Sequence, residues 1–314
     1  MNKKNKNVQE KQVLSSLVNM ENPQSIISEV KVIISMEIPE FDFSPLYQVF
    51  YDIVRLFQGD YPGYRKCNTD YHDLNHTTNI FLTLARLIHG YLIKKKRLSE
   101  KKIRLGLISA LMHDTGYIQN IDDNYGTGAK YTLEHITRSI LFMDKYFSKN
   151  NYSQDDFTFC KTCINCTGKN KIINQINFHS HEEEIIGKML GTADILGQMA
   201  DRIYLEKLLF LYYEFREGNV NGYENELDIL KKTLEFYQFI TERFAYELGN
   251  QKKYMIHHFI KRWNINTDLY EEAIENNIGY LKFILDKHRK SYRNYLRRGN
   301  VVNKLREKDH YFNA

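Results

Sequence analysis

The sequence predicts an all-α protein. All four prolines lie within the first 62 residues, so no proline interrupts a succession of helices from residue 63 onward. The 314 residues, 42% of them hydrophobic, are enough for a full hydrophobic core. Two segments also place apolar residues at the spacing of one buried helix face. These stripes are His76, Ile80, Leu84 and Leu87, then Ile103, Leu107, Ala110, Leu111 and Asp114.

The N-terminal 40 residues are expected to form a weakly specified extension. They are rich in Asn and Lys and contain one short apolar segment, Val30 to Ile38. The polar start, Met1 to Asn7, is not followed by an apolar region, which argues against a signal peptide. No run approaches the roughly 18 apolar residues of a membrane span. We therefore expect a cytoplasmic protein with no membrane partner.

The remaining elements are predicted from helix starts, turn clusters and apolar spacing. Ser44-Pro45 starts a helix well, and the cluster from Gly59 to Gly63 ends it. The later predictions, in chain order, are a helix over about 71–94, a polar pocket-rim loop over 119–130, a helix over about 131–147, a cysteine-bearing helix, one long helix or two in series over 182–218, and helical structure over about 223–307.

Three cysteines, Cys160, Cys163 and Cys166, form a C-x-x-C-x-x-C run that could suggest an iron–sulfur cluster or zinc. The ferredoxin pattern needs a fourth cysteine soon afterwards, and none follows. The three positions also align on one helix face, so we interpret them as packed, reduced thiols.

The formal charge of +5 is mild and does not call for a nucleic-acid partner. Basic runs at helix ends are interpreted as solvated faces. Homodimerisation through the C-terminal helices is left open.

The sequence feature that indicates a function is a set of ionisable side chains that lie on otherwise apolar helix faces. His76, the pair His113-Asp114 and Asp194 each lie on a helix face that otherwise seeks the core. A carboxylate is rarely buried unless it is paired or bound to a metal. Helices that meet there would form a divalent-cation site. The pair His72 and His76 by itself would suggest a zincin, but the residue after His72 is not the glutamate which that motif requires.

These motifs resemble the HD-domain metal phosphohydrolases, and among them the cyclic-nucleotide phosphodiesterases. The resemblance covers roughly residues 45 to 200. It rests on Tyr71-His72-Asp73-x-x-His76, His113-Asp114 and Ala193-Asp194. It implies an HD-type helical bundle over 41–201, an N-terminal extension over 1–40 and a C-terminal helical region over 202–314 packed on the core.

The resemblance also assigns roles. His76, His113, Asp114 and Asp194 would hold the first metal, and His72 would protonate the departing oxygen. The cofactors would be two divalent ions (Mn, Mg, Zn or Fe), bridged by Asp114, that generate a hydroxide near neutral pH. The predicted activity is hydrolysis of a phosphoester, above all a nucleotide phosphodiester such as a cyclic nucleotide.

Three positions depart from the family pattern. Asp73 stands where these phosphodiesterases have Asn, Asn79 stands where they have Asp, and Tyr117 stands where relatives that cleave cyclic dinucleotides carry Lys. Glu134 and His135 are interpreted as contacts to a metal ligand or to a second metal, with a structural role for His135 left open, and Lys130 as a phosphate contact at the pocket rim.

Two other classes of function stay open at this point. A di-iron oxygenase on the same scaffold would need further histidines, for which His179 and His181 are the candidates. A non-catalytic nucleotide-binding or scaffold protein would keep the fold and lose activity.

Overall fold

The computed structural model describes residues 12–168 and 172–312, with side chains through residue 307. It confirms the all-α prediction, because the described residues contain helices and no β-strand. One isolated bridge pairs Tyr64 with Asn120. None of the helices in these residues is long and apolar enough to cross a bilayer.

The α-helices within the described residues follow one another with short connections. In chain order they are α1 (Pro23–Ser35), α2 (Ser44–Gln58), α3 (Leu74–Ile93), α4 (Glu100–Met112), α5 (His135–Lys149), α6 (Gln154–Asn165), α7 (His181–Met199), α8 (Tyr204–Glu217), α9 (Glu226–Glu242), α10 (Met255–Trp263), α11 (Leu269–Lys287) and α12 (Val301–Phe312).

Helix α3 is the centre of the fold and is buried on nearly all sides from His76 to Tyr91. It packs against α1, α4, α7 and α10. Its approach to α7 is close, since a Cβ added at Gly197 would lie 2.7 Å from Ile80 Cδ1. Asn79 Nδ2 donates to the Gly197 carbonyl at 2.8 Å. Asn79 therefore joins the two helices that carry His76 and Asp194.

Helix α1 differs from the predicted N-terminal extension. Asn22 caps it through the Gln24 amide, and Pro23 occupies its first turn. Five of its apolar side chains are fully buried against the core: Ile26, Ile27, Val30, Ile33 and Ile34. These positions have helical spacing, so part of the predicted extension is a core helix. Residues 1–11 of that extension lie outside the described residues.

The C-terminal helices pack on the same core. Helix α10 contacts α3, helix α11 contacts α7, and helix α8 packs against α9. The predicted span 182–218 forms two helices that are separated after Met199. Asn277 Nδ2 on α11 donates to the carbonyls of Met199 and Asp201, at 2.9 and 3.0 Å. These bonds fix the turn between α7 and α8, and hence the start of α8 beside the site.

The cysteine run lies at the end of α6 and is buried and reduced. The Cys160 thiol donates to the Leu105 carbonyl at 3.4 Å, and Cys166 donates to Thr162 at the same distance. Burial raises the pKa of the Cys160 thiol to about 12. A neutral thiol within the core agrees with the packing interpretation.

Candidate metal centre

Three buried side chains from α3 and the end of α4 converge at one point. His76 Nε2 lies 3.2 Å from Asp114 Oδ2, and His113 Nε2 lies 3.1 Å from the same oxygen. One potential ligand atom from each of the three lies within 4.8 Å of the others. Two imidazole nitrogens and a carboxylate oxygen at this separation can coordinate one divalent cation.

Asp194 on α7 reaches the same point from the opposite side. Its Oδ1 lies 3.7 Å from His76 Nε2 and 3.9 Å from His113 Nε2. The structure thus brings together the four side chains that the sequence pattern singled out. They come from three different elements, so only the packing of α7 on α3 and α4 completes the cluster.

The turn after α4 is fixed by α5. Ser139 Oγ donates to the His113 carbonyl at 2.6 Å and accepts from the Gly116 amide at 2.9 Å. Gly116 is required sterically, because a Cβ there would lie 2.0 Å from the His135 carbonyl oxygen. Helix α5 therefore sets the direction of the His113-Asp114 pair.

Hydrogen bonding defines the tautomer of His113. Its Nδ1 lies 2.8 Å from the Ala110 carbonyl, which can only accept, so Nδ1 carries the proton. In the neutral ring the Nε2 lone pair then faces Asp114 Oδ2, and both atoms are buried without a hydrogen-bond partner. A lone pair and a carboxylate oxygen repel each other unless a cation or a proton lies between them. The donor set therefore fits a metal ion, with the backbone orienting the imidazole.

The pKa values of the cluster indicate which proton a bound cation would replace. Burial alone would lower the pKa of His113, but the Asp114 charge raises it to about 9. Burial would raise the pKa of Asp114, but His113 holds it well below its usual range. Burial raises the pKa of Asp194, and the nearby imidazoles offset this only in part. These shifts favour a proton on His113, which a bound cation would displace.

His135, at the start of α5, faces the other oxygen of Asp114. Its Nδ1 donates to the Thr132 carbonyl at 2.6 Å, and its Nε2 lies 3.9 Å from Asp114 Oδ1. Burial lowers the pKa of His135, which keeps the imidazole neutral. Asp114 therefore has imidazole nitrogens opposite both of its oxygens, as a carboxylate that bridges two cations requires.

His72 does not lie on α3, in contrast to the predicted helix from residue 71. Asp73 caps α3 by accepting from the His76 amide at 2.8 Å, so His72 precedes the first turn. Its ring reaches the site from the preceding turn and lies 5.5 Å from the His76 ring, centroid to centroid. His72 therefore lies near His76 because of this turn, and not because the two residues share a helix face.

Glu214 on α8 is a site residue that the sequence reasoning missed. Its Oε2 accepts from His72 Nδ1 at 2.6 Å, and its Oε1 accepts from the Tyr71 amide at 2.6 Å. Burial would lower the pKa of His72, but the charge and hydrogen bond of Glu214 raise it. The sequence signal that could have identified Glu214 is a carboxylate next to the apolar positions of α8.

Tyr117 is a second residue whose role appears only in the structure. Its ring stacks on His72 at 4.2 Å and on His135 at 4.8 Å, and the two imidazoles lie 6.3 Å apart, all measured between centroids. It is 2% exposed, so it is a rigid stacking partner for both imidazoles. A lysine at this position could not provide that stacking.

Other predicted residues lie apart from the cluster. Lys130 pairs with Asp123 at 2.5 Å, and Glu134 is exposed at the N-terminus of α5. Neither lines the pocket that contains His76 and Asp114. His179 and His181 are exposed, and His179 bonds to Glu183 at 3.1 Å. Neither His179 nor His181 lines that pocket.

A pocket of about 640 Å³ opens onto the cluster. This volume lies in the range of small-molecule sites. His72, His76, Asp114, His135 and Asp194 line one part of it. The remainder is lined mainly by apolar side chains of α8 and α9.

Comparisons with known proteins add one finding. A family model described as Npun_R2479-like matches residues 122–248, which is less than half of the chain. No curated protein and no solved structure gives a significant match. The matched segment runs from the loop before α5 to the residues after α9 and includes His135 and Asp194. Its description names no activity, so the functional inference rests on the site.

Proposed function

We propose that this protein is a metal-dependent hydrolase that cleaves phosphoesters. One observation carries the proposal: Asp114 has His76 and His113 nitrogens opposite one oxygen and the His135 nitrogen opposite the other. Mixed imidazole and carboxylate ligands accept Zn, Mn, Fe or Mg. Bound divalent cations lower the pKa of water and stabilise charge on phosphoryl oxygens.

The protein's own residues complete the chemistry. His76, His113, Asp114 and Asp194 would hold the first cation, and His135 would extend the cluster toward a second. His72 carries its Nδ1 proton toward Glu214, which leaves Nε2 to donate a proton to the departing oxygen. Glu214 keeps this imidazole protonated by raising its pKa.

Alternative functions receive less support. An oxygenase needs further histidine ligands, and the candidates His179 and His181 are exposed. A scaffold protein has no use for a partly buried imidazole held by a buried carboxylate, as His72 is held by Glu214. A cyclic nucleotide remains the substrate predicted from the resemblance.

The proposal is tested by metal analysis of the purified protein together with phosphoester hydrolysis. We expect close to one or two divalent ions per chain, and metal-dependent hydrolysis of at least one member of a panel of mono- and diesters, cyclic nucleotides among them. Chelation should abolish turnover, and the same metal should restore it. Metal-replete protein that cleaves no member of the panel would contradict the proposal.

Glu214→Gln is expected to move the alkaline limb of the rate profile to lower pH. His72 acts as an acid, so kcat/KM falls as pH rises through its pKa. Glu214 raises that pKa, and the neutral amide removes the charge. The ion pair of His72 with Glu214 also stabilises the folded protein. This stabilisation is fully present below the pKa of about 6.5 that His72 has in the unfolded chain, and it is lost as pH rises through the raised pKa of the folded state.

The matched control for this variant is Glu206→Gln. Glu206 is also buried on α8, but it accepts from the Arg298 amide at 3.1 Å rather than from a histidine. The control should leave the limb where it is in the wild type. Equal profiles for Glu214→Gln and the wild type would refute the pairing.

A further inference from the structure

The pocket continues away from the metal cluster as an apolar arm between α8 and α9. Along α8 the arm is lined by Tyr204, Leu208, Leu211 and Phe215. Along α9 it is lined by Ile229, Thr233, Phe236 and Ile240. In both helices the spacings are four, three and four, so each set is one stripe. The first and last residues of each stripe are eleven positions apart, so at a rise of 1.5 Å per residue each stripe is about 16 Å long.

The arm has a closed floor and an accessible wall. Leu208, Ile229 and Ile240 are at most 3% exposed and form part of the core. Leu211, Phe215 and Phe236 are half-buried and keep apolar surface open to the pocket. This surface is continuous with the metal cluster, so a ligand whose phosphate lies at the cations can extend along it.

Three polar side chains of the arm donate hydrogen bonds within the protein. Thr233 Oγ1 donates to the Ile229 carbonyl at 2.8 Å, and Arg243 Nη2 donates to Gly168 at the same distance. Lys232 Nζ donates to the Gly222 carbonyl. A site that recognises a polar ligand leaves polar groups directed at that ligand. The arm instead offers hydrocarbon surface.

We infer that the substrate is an amphiphilic phosphoester whose hydrocarbon chain lies in the apolar arm. The phosphate end of this inference rests on the proposed function. In the reaction a water oxygen bonds to phosphorus and the P–O bond to the chain breaks. His72 gives its proton to the departing oxygen, so an alkyl phosphate and water yield an alcohol and phosphate.

Binding of alkylphosphonates from ethyl to decyl, measured by calorimetry below micelle-forming concentrations, tests the arm without catalysis. Each methylene that enters the arm should tighten Kd about fourfold, until the arm is full. The dependence on chain length should persist after chelation of metal, although overall affinity falls. A Kd that is independent of chain length would overturn the inference.

Two phenylalanines of α9 provide a matched pair of variants. Phe236 lines the arm, whereas Phe239 is 43% exposed and does not. Phe236→Ala should weaken decylphosphonate binding at least about tenfold and leave ethylphosphonate binding unchanged. Phe239→Ala should leave both unchanged. If Phe236→Ala does not fold, Leu211→Asp in the wall from α8 should show the same selective loss. Equal effects of the arm and control variants would also overturn the inference.

The outcomes separate this inference from the proposed function. Chain-length-dependent binding without hydrolysis of any phosphoester would retain the arm and reject the hydrolase. Hydrolysis of phosphoesters with no preference for longer chains, together with a flat binding series, would retain the hydrolase and reject the arm. A cyclic nucleotide that binds more tightly than decylphosphonate would likewise count against a hydrocarbon ligand.

Discussion

Asp114→Ala is expected to lose bound metal and hydrolysis together. The carboxylate lies between the Nε2 atoms of His76 and His113 on one side and that of His135 on the other. Its removal takes away the negative charge that offsets a divalent cation and the oxygen that can join two of them. The cation's contribution to the transition state is several kcal/mol, so the rate should fall at least about 10³-fold.

The measurement is metal content and kcat/KM on the same preparation. Metal should also raise the melting temperature of the wild type, since it binds the folded state, and have no such effect on the variant. Asp123→Ala is the control, because this carboxylate bonds Lys130 and Tyr131 instead of the cluster. It should retain both metal and rate. A fully metallated Asp114→Ala protein would show that the cluster is not the binding site.

The convergence of the four ligand candidates could be predicted from sequence because its signal is local. An ionisable residue that interrupts an apolar stripe, such as Asp114 or Asp194, must be satisfied when that face is buried. Each stripe is visible within a single helix. The sequence does not specify how the helices cross. However, few helix arrangements bury all the apolar stripes and still keep their ionisable residues apart.

Glu214 could not be predicted in this way. The contact between its carboxylate and His72 depends on how α8 is rotated relative to the start of α3. Hydrogen bonds near the two ends of α8 fix that rotation: Glu214 to His72 near its C-terminus, and Asn277 to Met199 just before its N-terminus. The position of His72 depends on a competition at the start of α3. The capping hydrogen bond of Asp73 stabilises a helix that begins at Leu74 more than a helix that extends back to residue 71.

The N-terminal segment shows a different limit of the sequence reasoning. The Asn- and Lys-rich composition of the first 40 residues suggested a weakly specified extension, yet α1 fills a groove on α3 with fully buried Ile26, Val30 and Ile33. Average composition conceals a stripe that occupies only one face. Periodicity within Pro23–Ser35 is the better indicator, since burial depends on the face and not on the mean.

His72→Ala is expected to retain metal and lose about 10²- to 10⁴-fold in kcat, the usual contribution of a positioned acid. The imidazole lines the pocket and is held by Glu214 and stacked on Tyr117, but the four metal-ligand candidates do not include it. Metal content and kcat distinguish the roles. His179→Ala, which removes an exposed histidine, should change neither.

The two variants at the acid are also expected to be non-additive. If Glu214 acts on the reaction only by keeping His72 protonated, Glu214→Gln should slow the wild type but add little to His72→Ala. The alkaline limb should disappear in His72→Ala, because no imidazole remains to titrate. Loss of metal in His72→Ala would make this residue a ligand. Additive losses would mean that Glu214 acts on the substrate or the cations directly, and the proton donor would then have to be sought elsewhere in the pocket.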